Sequence, residues 1–422
     1  MTLMIHNAWL PGQGKRDVQI AEGRIVALAE ALTPPPGAER LDAAGMAMVP
    51  GFVNGHSHAA MTLFRGFGDD MPLMEWLQTR IWPAEARLSE EDVYWGSRLA
   101  CLEMIRSGTL CFEDMYWHFH GTARAVEQSG LRAGLGAVMI DVEGEQQAKS
   151  CQYMAEKLHE EAKAYSDRIR FTLTPHAIYT VSAASLSWVR AFADRHDVVV
   201  HIHLSETRHE VEQCLQQHGM LPTFYLDQLG LLHDRVLLAH GVHLEEAELD
   251  RIAQRGATLV TNPVSNMKLA VGGVFPYRKA AARQIPMALG TDGAASNNSL
   301  DMFQNMKIMA LLQKQAEQDP TVLPADEAWA IATGARAPLF GQSGRLAVGE
   351  KADFLLLAQD GVETTPNHHF FSNMVYAASG AVVNTAVVAG RVLMHNRRIE
   401  GEAEIRQEVA DRARHLCHRS ST

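Results

Sequence analysis

The sequence predicts an α/β protein built around a (β/α)8 TIM-like barrel, with a small β-sandwich made from both chain ends. Short apolar segments alternate with helical patterns through the middle of the chain. Strand-rich segments without such helices occur before and after that middle. Histidines and acidic residues recur where the apolar segments end. All three observations are typical of a barrel whose functional side chains follow its strands.

The composition is that of a globular protein and excludes several classes of partner. The 422 residues are 47% hydrophobic and 21% charged, and the net charge is -11. An acidic surface does not favour nucleic acid or anionic membranes, so we expect neither as a partner. No apolar run approaches the roughly 20 residues that span a bilayer, and no signal peptide is visible. Five scattered cysteines without a C-x-x-C pair indicate reduced thiols in the cytoplasm.

The pattern of predicted strands and helices divides the chain into a split terminal domain and a central barrel. Residues 1–48 read as short strands and turns, interrupted by Pro34-Pro35-Pro36-Gly37. Strand patterns return after Gly344, and a polar helix is expected from Ala403 to about His418. We therefore predict that residues 1–48 and 346–422 form one composite β-sandwich domain with a C-terminal helix. Residues 49–345 form the catalytic barrel in this prediction. The sequence leaves the oligomeric state open, including a homo-oligomer.

Eight segments of the central region have the character of parallel strands covered on both faces. Each is short, apolar and often β-branched. A helical pattern between the first two begins with an N-cap at Ser89 and ends at Gly108. The predicted strands are 48–54, 109–113, 132–140, 169–174, 198–203, 235–239, 257–261 and 286–290.

The residues that follow these strands carry the chemistry. In an extended strand residues i and i+2 share one face, so His56 and His58 can point at one metal ion. A lone His-x-His is a weak signal, but the pattern repeats around the predicted barrel. The other strand-end residues are Asp114, Asp141, His176, His203, Glu206, His240, His243, Asn262 and Asp292.

Several of these segments resemble a known family. The chain is similar to the amidohydrolase superfamily, and within it to the 5'-methylthioadenosine/S-adenosylhomocysteine deaminases. The resemblance covers nearly the whole chain, and its most specific segments are 81–85 and 289–298. The segments that carry it are His56-Ser57-His58, residues 73–77, residues 81–85, residues 201–207, Ala239-His240 and residues 289–298.

The resemblance implies one activity. A divalent metal lowers the pKa of its bound water to about 7, which gives a metal-bound hydroxide at neutral pH. That hydroxide would replace the 6-amino group of a 5'-modified adenosine and release ammonia and the inosine analogue. The implied substrate is a small-molecule nucleoside: 5'-methylthioadenosine, with S-adenosylhomocysteine, adenosine and 5'-deoxyadenosine as further candidates.

The resemblance also implies the metal ligands. His56, His58, His203 and Asp292 match the positions that hold one divalent ion, and this set suits Zn2+, with Fe2+ as the alternative. Dinuclear relatives use a carboxylated lysine on the fourth strand. This chain has Thr174-Pro175-His176 there, so one metal ion is expected. His201 is interpreted as a structural histidine. A simpler alternative for His203 is that it, too, is an ordinary strand histidine that binds no metal.

Three residues receive catalytic roles from the resemblance. Glu206 would protonate the purine ring at N1, and Asp292 would move a proton from the water to the departing ammonia. His240 would polarise or orient the attacking water. The plainer alternatives are a buried, hydrogen-bonded histidine for His240 and a solvated helix-start carboxylate for Glu206.

Four residues are candidates for substrate binding. Glu85 can accept hydrogen bonds from both ribose hydroxyls, Trp76 can form an apolar wall for the purine, and His176 would lie on the rim. Glu206 would contact the base as well as protonate it. As alternatives, Trp76 could pack in a helix and Glu85 could be a surface charge. A site that binds ribose hydroxyls should reject free bases, because its polar atoms would lose their partners.

The 5' substituent is the least determined feature of the predicted substrate. A homocysteine carboxylate calls for a cation, and the loop after the third strand has no arginine and only Lys149. Arg65 and Arg132 are the remaining candidates. A thiomethyl group needs only an apolar slot, for which Met61, Leu63 and Met139 are candidates. The sequence therefore favours methylthioadenosine over S-adenosylhomocysteine.

Other functions fit the sequence less well. An amidohydrolase acting on a free base or triazine, such as a guanine or pterin deaminase or a chlorohydrolase, is the nearest alternative. A non-catalytic barrel is more remote, because such proteins usually lose metal ligands. Zinc deaminases that edit nucleic-acid bases are excluded, since they need P-C-x-x-C and the chain has no C-x-x-C.

Overall fold

The computed structural model of the protein describes residues 2–417. Its strands, in chain order, are β1 (Thr2–Leu10), β2 (Gly14–Ala21), β3 (Arg24–Ala29), β4 (Glu39–Asp42), β5 (Met46–Pro50), β6 (Phe52–His58), β7 (Thr109–Asp114), β8 (Arg132–Met139), β9 (Ile169–Pro175), β10 (Val199–Leu204), β11 (Val236–His240), β12 (Thr258–Thr261), β13 (Met287–Leu289), β14 (Asp292–Gly293), β15 (Phe354–Ala358), β16 (Val383–Val388) and β17 (Arg391–Met394).

The helices alternate with the barrel strands and extend beyond them. They are α1 (Leu73–Trp76), α2 (Trp82–Glu85), α3 (Glu90–Ser107), α4 (Phe119–Ser129), α5 (Glu145–Ala162), α6 (Ala183–His196), α7 (Arg208–His218), α8 (Pro222–Gln228), α9 (Glu246–Arg255), α10 (Pro263–Lys268), α11 (Tyr277–Ala282), α12 (Met302–Glu317), α13 (Ala325–Ala332), α14 (Phe370–Tyr376) and α15 (Glu402–Cys417). A π-helical turn, Leu77–Ile81, joins α1 to α2. Across residues 2–417, none of these helices combines the length and apolarity needed to cross a membrane.

The predicted barrel is confirmed. Strands β6 to β13 pair in parallel in chain order, and β13 closes the ring by pairing with β6, with Leu289 opposite Asn54. The short strand β14 continues this contact and places Asp292 opposite Ser57. The carboxyl ends of all eight strands therefore face the same mouth, as in other barrels of this type.

The start of the barrel differs from the prediction. The single strand expected at 48–54 is two strands, β5 and β6, separated by Gly51. A Cβ atom on Gly51 would lie 2.4 Å from Cδ1 of Leu110, so only glycine fits at this bend. Strand β5 pairs with β15 in the terminal sheet, whereas β6 enters the barrel. Because both segments are apolar, the hydrophobic pattern hides the bend.

The two chain ends form one eight-stranded sheet. Its order is β17-β16-β15-β5-β1-β2-β3, and β4 pairs with the other half of the β1 edge. The free edge of β3 bonds to the segment before β15, where the Ile25 amide donates to Glu350 and its carbonyl accepts from Gly349. Buried side chains from seven of the eight strands form one apolar core, and Val392 of the eighth strand, β17, packs against it. The division into residues 1–48 with 346–422 and residues 49–345 remains our proposal.

Two predicted helices correspond closely to the structure. Helix α3 begins after Ser89, whose hydroxyl accepts the Asp92 amide, and ends at Gly108 with φ 91°. The C-terminal helix is present as α15, while His418, at its expected end, lies outside the described residues.

A buried ion pair fastens the barrel to the terminal sheet. Arg132 at the start of β8 donates from Nε to Asp353 at 2.6 Å, and both side chains are buried. Asp353 also accepts the Gln342 side chain at 2.6 Å and the Ala389 amide at 2.7 Å. The Asp353 carboxylate is therefore fully engaged at the junction of the two sheets.

We expect Arg132→Ala to destabilise the protein by about 3 kcal/mol, because it leaves a buried carboxylate without its cation. The matched control is Arg124→Ala, which removes an exposed pair with Glu90 and Glu91 and should cost under about 1 kcal/mol. Urea unfolding followed by fluorescence measures both. Equal shifts of the two midpoints would contradict the role given to this ion pair.

Candidate metal and substrate site

The predicted site residues meet in one cavity at the carboxyl ends of the barrel strands. Its lining includes His58, His176, His203, Glu206, His240 and Asp292 from the strand ends, and Trp76 and Glu85 from the helical segment 73–85. His56 lies directly behind this surface and is fully buried. The structure thus brings together the predicted metal ligands, the predicted catalytic residues and the four main candidates for substrate binding.

Three imidazoles and one carboxylate converge within this cavity. The ligand atoms of His56, His58 and His203 all lie within 4.8 Å of one another. Oδ1 of Asp292 is 3.3 Å from Nε2 of His56 and 3.1 Å from Nε2 of His58. His240 forms a second such group with His56 and Asp292.

The hydrogen bonds behind these rings prepare them for a cation. Nδ1 of His58 lies 2.6 Å from the Met115 carbonyl, and Nδ1 of His203 lies 2.7 Å from the His176 carbonyl. A carbonyl accepts only from N–H, so each Nε2 is left with a free lone pair in the neutral ring. Nε2 of His56 is buried and has no hydrogen-bond partner. Three nitrogen lone pairs and a carboxylate oxygen match a tetrahedral metal site.

The pKa shifts agree with neutral ligands at most of these positions. Burial lowers the pKa of His56 to about 3 and holds the pKa of His203 well below its usual value. Burial also lowers the pKa of His58, but its bond to Asp292 outweighs burial and raises the pKa to about 9. A metal ion would compete with that proton, because a ligating imidazole must be neutral.

The Asp292 carboxylate is held in a single orientation. Its Oδ2 accepts the Ser265 hydroxyl at 2.5 Å and the Ser296 hydroxyl at 2.8 Å, which leaves Oδ1 for the histidines. Asp292 has φ 62° and His240 has φ 76°, both in the left-handed region that non-glycine residues seldom adopt. Backbone strain of this kind persists where surrounding contacts impose it, typically at functional sites.

Glu206 and His240 lie beside each other next to the candidate metal ligands. Oε1 of Glu206 is 3.8 Å from Nδ1 of His240, and that nitrogen bonds to the Asn266 side chain at 2.7 Å. Burial raises the pKa of Glu206. A raised pKa favours the protonated carboxyl group, which is the form that a proton donor needs.

The other predicted substrate contacts, Glu85, Trp76 and His176, also line the cavity. Tyr116 donates its hydroxyl to Oε1 of Glu85 at 2.8 Å, and burial raises the pKa of Glu85. Trp76 is buried and bonds through Nε1 to the Phe67 carbonyl at 3.2 Å. His176 is oriented by the Thr180 hydroxyl, 2.9 Å from Nδ1.

Some strand-end residues support the cavity without lining it. Asp114 accepts the Ala59 amide at 2.6 Å and so holds the segment after His58. Asp141 accepts the amide and the hydroxyl of Ser182, both at 2.6 Å. His243 lies 2.7 Å from the Val271 carbonyl, and Asn262 is fully buried beside Gly290. Asp114, Asp141 and His243 therefore hold loops at the mouth of the barrel.

The predicted apolar slot is partly wrong. Met61 lines the cavity, but Leu63 packs against Gly96 and Met139 is buried in the main core. In β8 and just after it, Val138 and Ile140 face the cavity instead. The alternation of side chains along a strand explains this, because Met139 points to the opposite face.

Neither candidate cation reaches the cavity. Arg65 bonds to Glu103 and to the Asn298 carbonyl, and Arg132 pairs with Asp353 at the opposite end of β8. Among residues 2–417, no lysine or arginine lines the cavity.

Several lining and supporting residues were not nominated from the sequence. Tyr116 and Trp117 come two and three residues after β7, and Tyr179 comes four residues after β9. Their position after barrel strands is the sequence signal that could have identified them. Ser265 lies in α10, which follows β12, and Ser296 lies on the loop after β14. Their contacts with Asp292 depend on a tertiary approach that spacing does not reveal.

Comparison with known proteins shows which enzymes this chain is similar to. Residues 47–393 match the model of the amidohydrolase family. A 5'-deoxyadenosine deaminase of Methanoregula boonei is 46% identical over 385 residues, covering 90% of this chain and 87% of that protein. A 5-methylthioadenosine/S-adenosylhomocysteine deaminase of Desulforudis audaxviator is 44% identical over 413 residues, covering 94% and 95%.

A solved structure shows the same fold. An adenosine deaminase from Xanthomonas campestris with bound zinc is similar to this chain with a TM-score of 0.92. The two sequences are 35% identical, and the match covers 98% of each chain.

We expect the purified chain to bind one divalent ion, and His203→Ala to lose most of it, because three donors hold the metal more weakly than four. The matched control is His176→Ala, whose ring lies 4.8 Å from that of His203 but offers no ligand to the group. Elemental analysis after dialysis measures the metal content. Retention of the metal by His203→Ala would contradict the ligand set.

Proposed function

The chain belongs to the amidohydrolase family, and from this premise we propose that it hydrolyses the 6-amino group of 5'-modified adenosines. The products are the inosine analogue and ammonia. The observation that carries the proposal is the cavity that combines Glu206 and the four metal donors with Glu85 and Trp76. The relatives named above as deaminases of such nucleosides, at 44% and 46% identity, support it.

We assign substrate binding to Glu85, Trp76, His176 and Glu206. Glu85 accepts hydrogen bonds from the ribose hydroxyls, and Tyr116 holds one of its oxygens for that purpose. The indole of Trp76 covers the purine, since a flat buried ring contacts a base at little entropic cost. His176 contacts the nucleoside at the rim.

We assign the metal to His56, His58, His203 and Asp292. Zinc is the proposed ion, supported by the N3O donor set and by the zinc in the related adenosine deaminase. Fe2+ is the alternative for the same ligands. One ion is proposed per chain, because the fourth strand ends in Thr174, Pro175 and His176 and offers no lysine.

A divalent ion in this site supplies Lewis-acid activation of the attacking water. Glu206 donates its proton to N1 of the purine as water adds at C6, which neutralises the charge that develops in the ring. Asp292 accepts a proton from the water at its carboxylate and passes it to the departing 6-amino nitrogen. His240, fixed by Asn266, orients the water for attack. Collapse of this adduct expels ammonia, and the proton left on the C6 hydroxyl returns to Glu206 as the 6-oxo group forms. One water is thus consumed, one ammonia is released and the acid is regenerated.

We propose an apolar 5' substituent, as in 5'-deoxyadenosine or 5'-methylthioadenosine. Met61, Leu73, Leu77, Val138 and Ile140 give the cavity apolar walls. A carboxylate in such surroundings would be desolvated without a cation to compensate for it.

The alternative activities are less well supported. A deaminase of free guanine or pterin, or a triazine hydrolase, would have no use for a partly buried carboxylate that Tyr116 positions. A non-catalytic barrel would not need all four metal donors. The cytoplasm is our proposed location, supported by five cysteines that form no disulfide.

We expect Glu206→Gln to abolish turnover of 5'-methylthioadenosine, with a loss on the order of 1,000-fold in kcat, because the amide donates no proton to N1. The control is Glu212→Gln, an exposed residue of α7 that should leave kcat unchanged. The ultraviolet change from adenine to hypoxanthine measures the rate. Full activity of Glu206→Gln would exclude Glu206 as the acid.

We expect kcat/KM for S-adenosylhomocysteine to fall at least about tenfold below that for 5'-methylthioadenosine, because its carboxylate meets no cation. A gain-of-function variant, Ile140→Arg, should narrow the difference by supplying one at the cavity wall. Equal kcat/KM values for the two nucleosides in the unaltered enzyme would contradict the apolar pocket.

A further inference from the structure

We propose that Glu210 is a positioning residue that sets the orientation of Glu206 for proton transfer. Glu210 lies in the first turn of α7, four residues after Glu206. Its two carboxylate oxygens accept two consecutive backbone amides, those of Ser205 at 2.8 Å and Glu206 at 2.9 Å. The carboxylate therefore fixes the backbone of Ser205 and Glu206, and with it the direction in which the Glu206 side chain points.

The backbone at this point is shaped to receive an anion. Ser205 has φ 49°, in the left-handed region, and this conformation turns its amide and the next one toward the same side. Successive amides arranged this way form a concave anion-binding nest. Glu210 fills the nest from within the chain, so the conformation that directs Glu206 into the cavity depends on a charge supplied from α7.

The same turn is tied to the loop that carries His240. The Ser205 carbonyl accepts the amides of Val242 at 3.1 Å and His243 at 2.9 Å, and the Leu204 carbonyl accepts that of Gly241 at 2.9 Å. A shift of the turn around Ser205 would therefore displace Glu206 relative to the neighbouring ring of His240. Glu210 is the side chain that holds this turn from behind.

Stability alone does not explain a carboxylate at this position. Glu210 is buried, and no lysine or arginine in the described part of the chain pairs with it. Burial raises the pKa of Glu210 to about 7, against the opposing effect of the two amides. Thr207 already caps α7 by accepting the Glu210 amide at 3.2 Å. The N-cap bond of α7 thus forms without the Glu210 side chain, and what the carboxylate adds is the geometry of the turn.

This inference rests on the role of Glu206 as proton donor in the proposed function. A proton moves efficiently only over hydrogen-bond distance, and a misplacement of about 1 Å can reduce the rate by roughly 100-fold. In Glu210→Gln, one amide would face an NH2 group in place of an acceptor oxygen, so the turn should lose one of its two bonds. Glu206 would remain present but displaced.

The first experiment compares kcat and KM for 5'-methylthioadenosine in Glu210→Gln and in Glu212→Gln, the exposed residue on the same helix. We expect kcat to fall about 30-fold in Glu210→Gln while KM stays within about threefold, since Glu85, Trp76 and His176 still bind the nucleoside. Glu212→Gln should match the unaltered enzyme. Metal content and the thermal midpoint confirm that each variant is folded and loaded.

The second experiment repeats Glu210→Gln in a Glu206→Gln background and measures the residual rate at high enzyme concentration. If Glu210 acts through Glu206, the second substitution should change this rate by less than about twofold, as expected for residues that work as one unit. The same 30-fold loss in both backgrounds would overturn the proposal and assign Glu210 a general structural role. Unchanged kcat in Glu210→Gln alone would overturn it as well.

The outcome is separable from a failure of the proposed function. If Glu206→Gln alone keeps full activity, Glu206 is not the acid, and the proposed chemistry fails whatever Glu210 does. If Glu206→Gln is inactive while Glu210→Gln is fully active, the chemistry stands and only the role of Glu210 is lost.

Discussion

The position of the Asp292 carboxylate is the constraint on which the rest of the site depends. One oxygen is held by Ser265 and Ser296, and the other faces His56 and His58. Asp292 lies in β14, which pairs with the end of β6 where the barrel closes. Closure of the sheet therefore brings the last strand end against the first, and the donors meet because the ring is complete. The site therefore lies at the junction where β13 and β14 meet β6 and close the barrel.

A second set of contacts holds the loops around this junction. Asp114 ties down the segment after His58, Tyr116 holds Glu85, and Glu210 holds the turn that carries Glu206. Each contact joins a residue after one strand to a neighbouring loop or helix. Hydrogen bonds of this kind keep the working side chains in place before a ligand arrives, which is the main protein contribution to electrostatic catalysis.

Much of this arrangement could be predicted from the sequence, and the omissions have physical reasons. Strand-end positions lie at one mouth in any barrel, so His203, His240 and Asp292 were recognisable from local patterns alone. The split at Gly51 was hidden, because strands of two different sheets follow one another with the same apolar texture. Leu63 and Met139 were misplaced because hydrophobicity does not say which side of a chain segment faces a cavity. Ser265 and Glu210 act through contacts that only the folded chain creates.

Anomalous X-ray scattering at the zinc edge, from crystals of the zinc-loaded protein, tests the central claim most directly. The account predicts one anomalous peak per chain, about 2.0–2.2 Å from Nε2 of His56, His58 and His203 and from one oxygen of Asp292. Two peaks in the cavity, or one peak held by other side chains, would contradict the single centre on which the proposed chemistry is built.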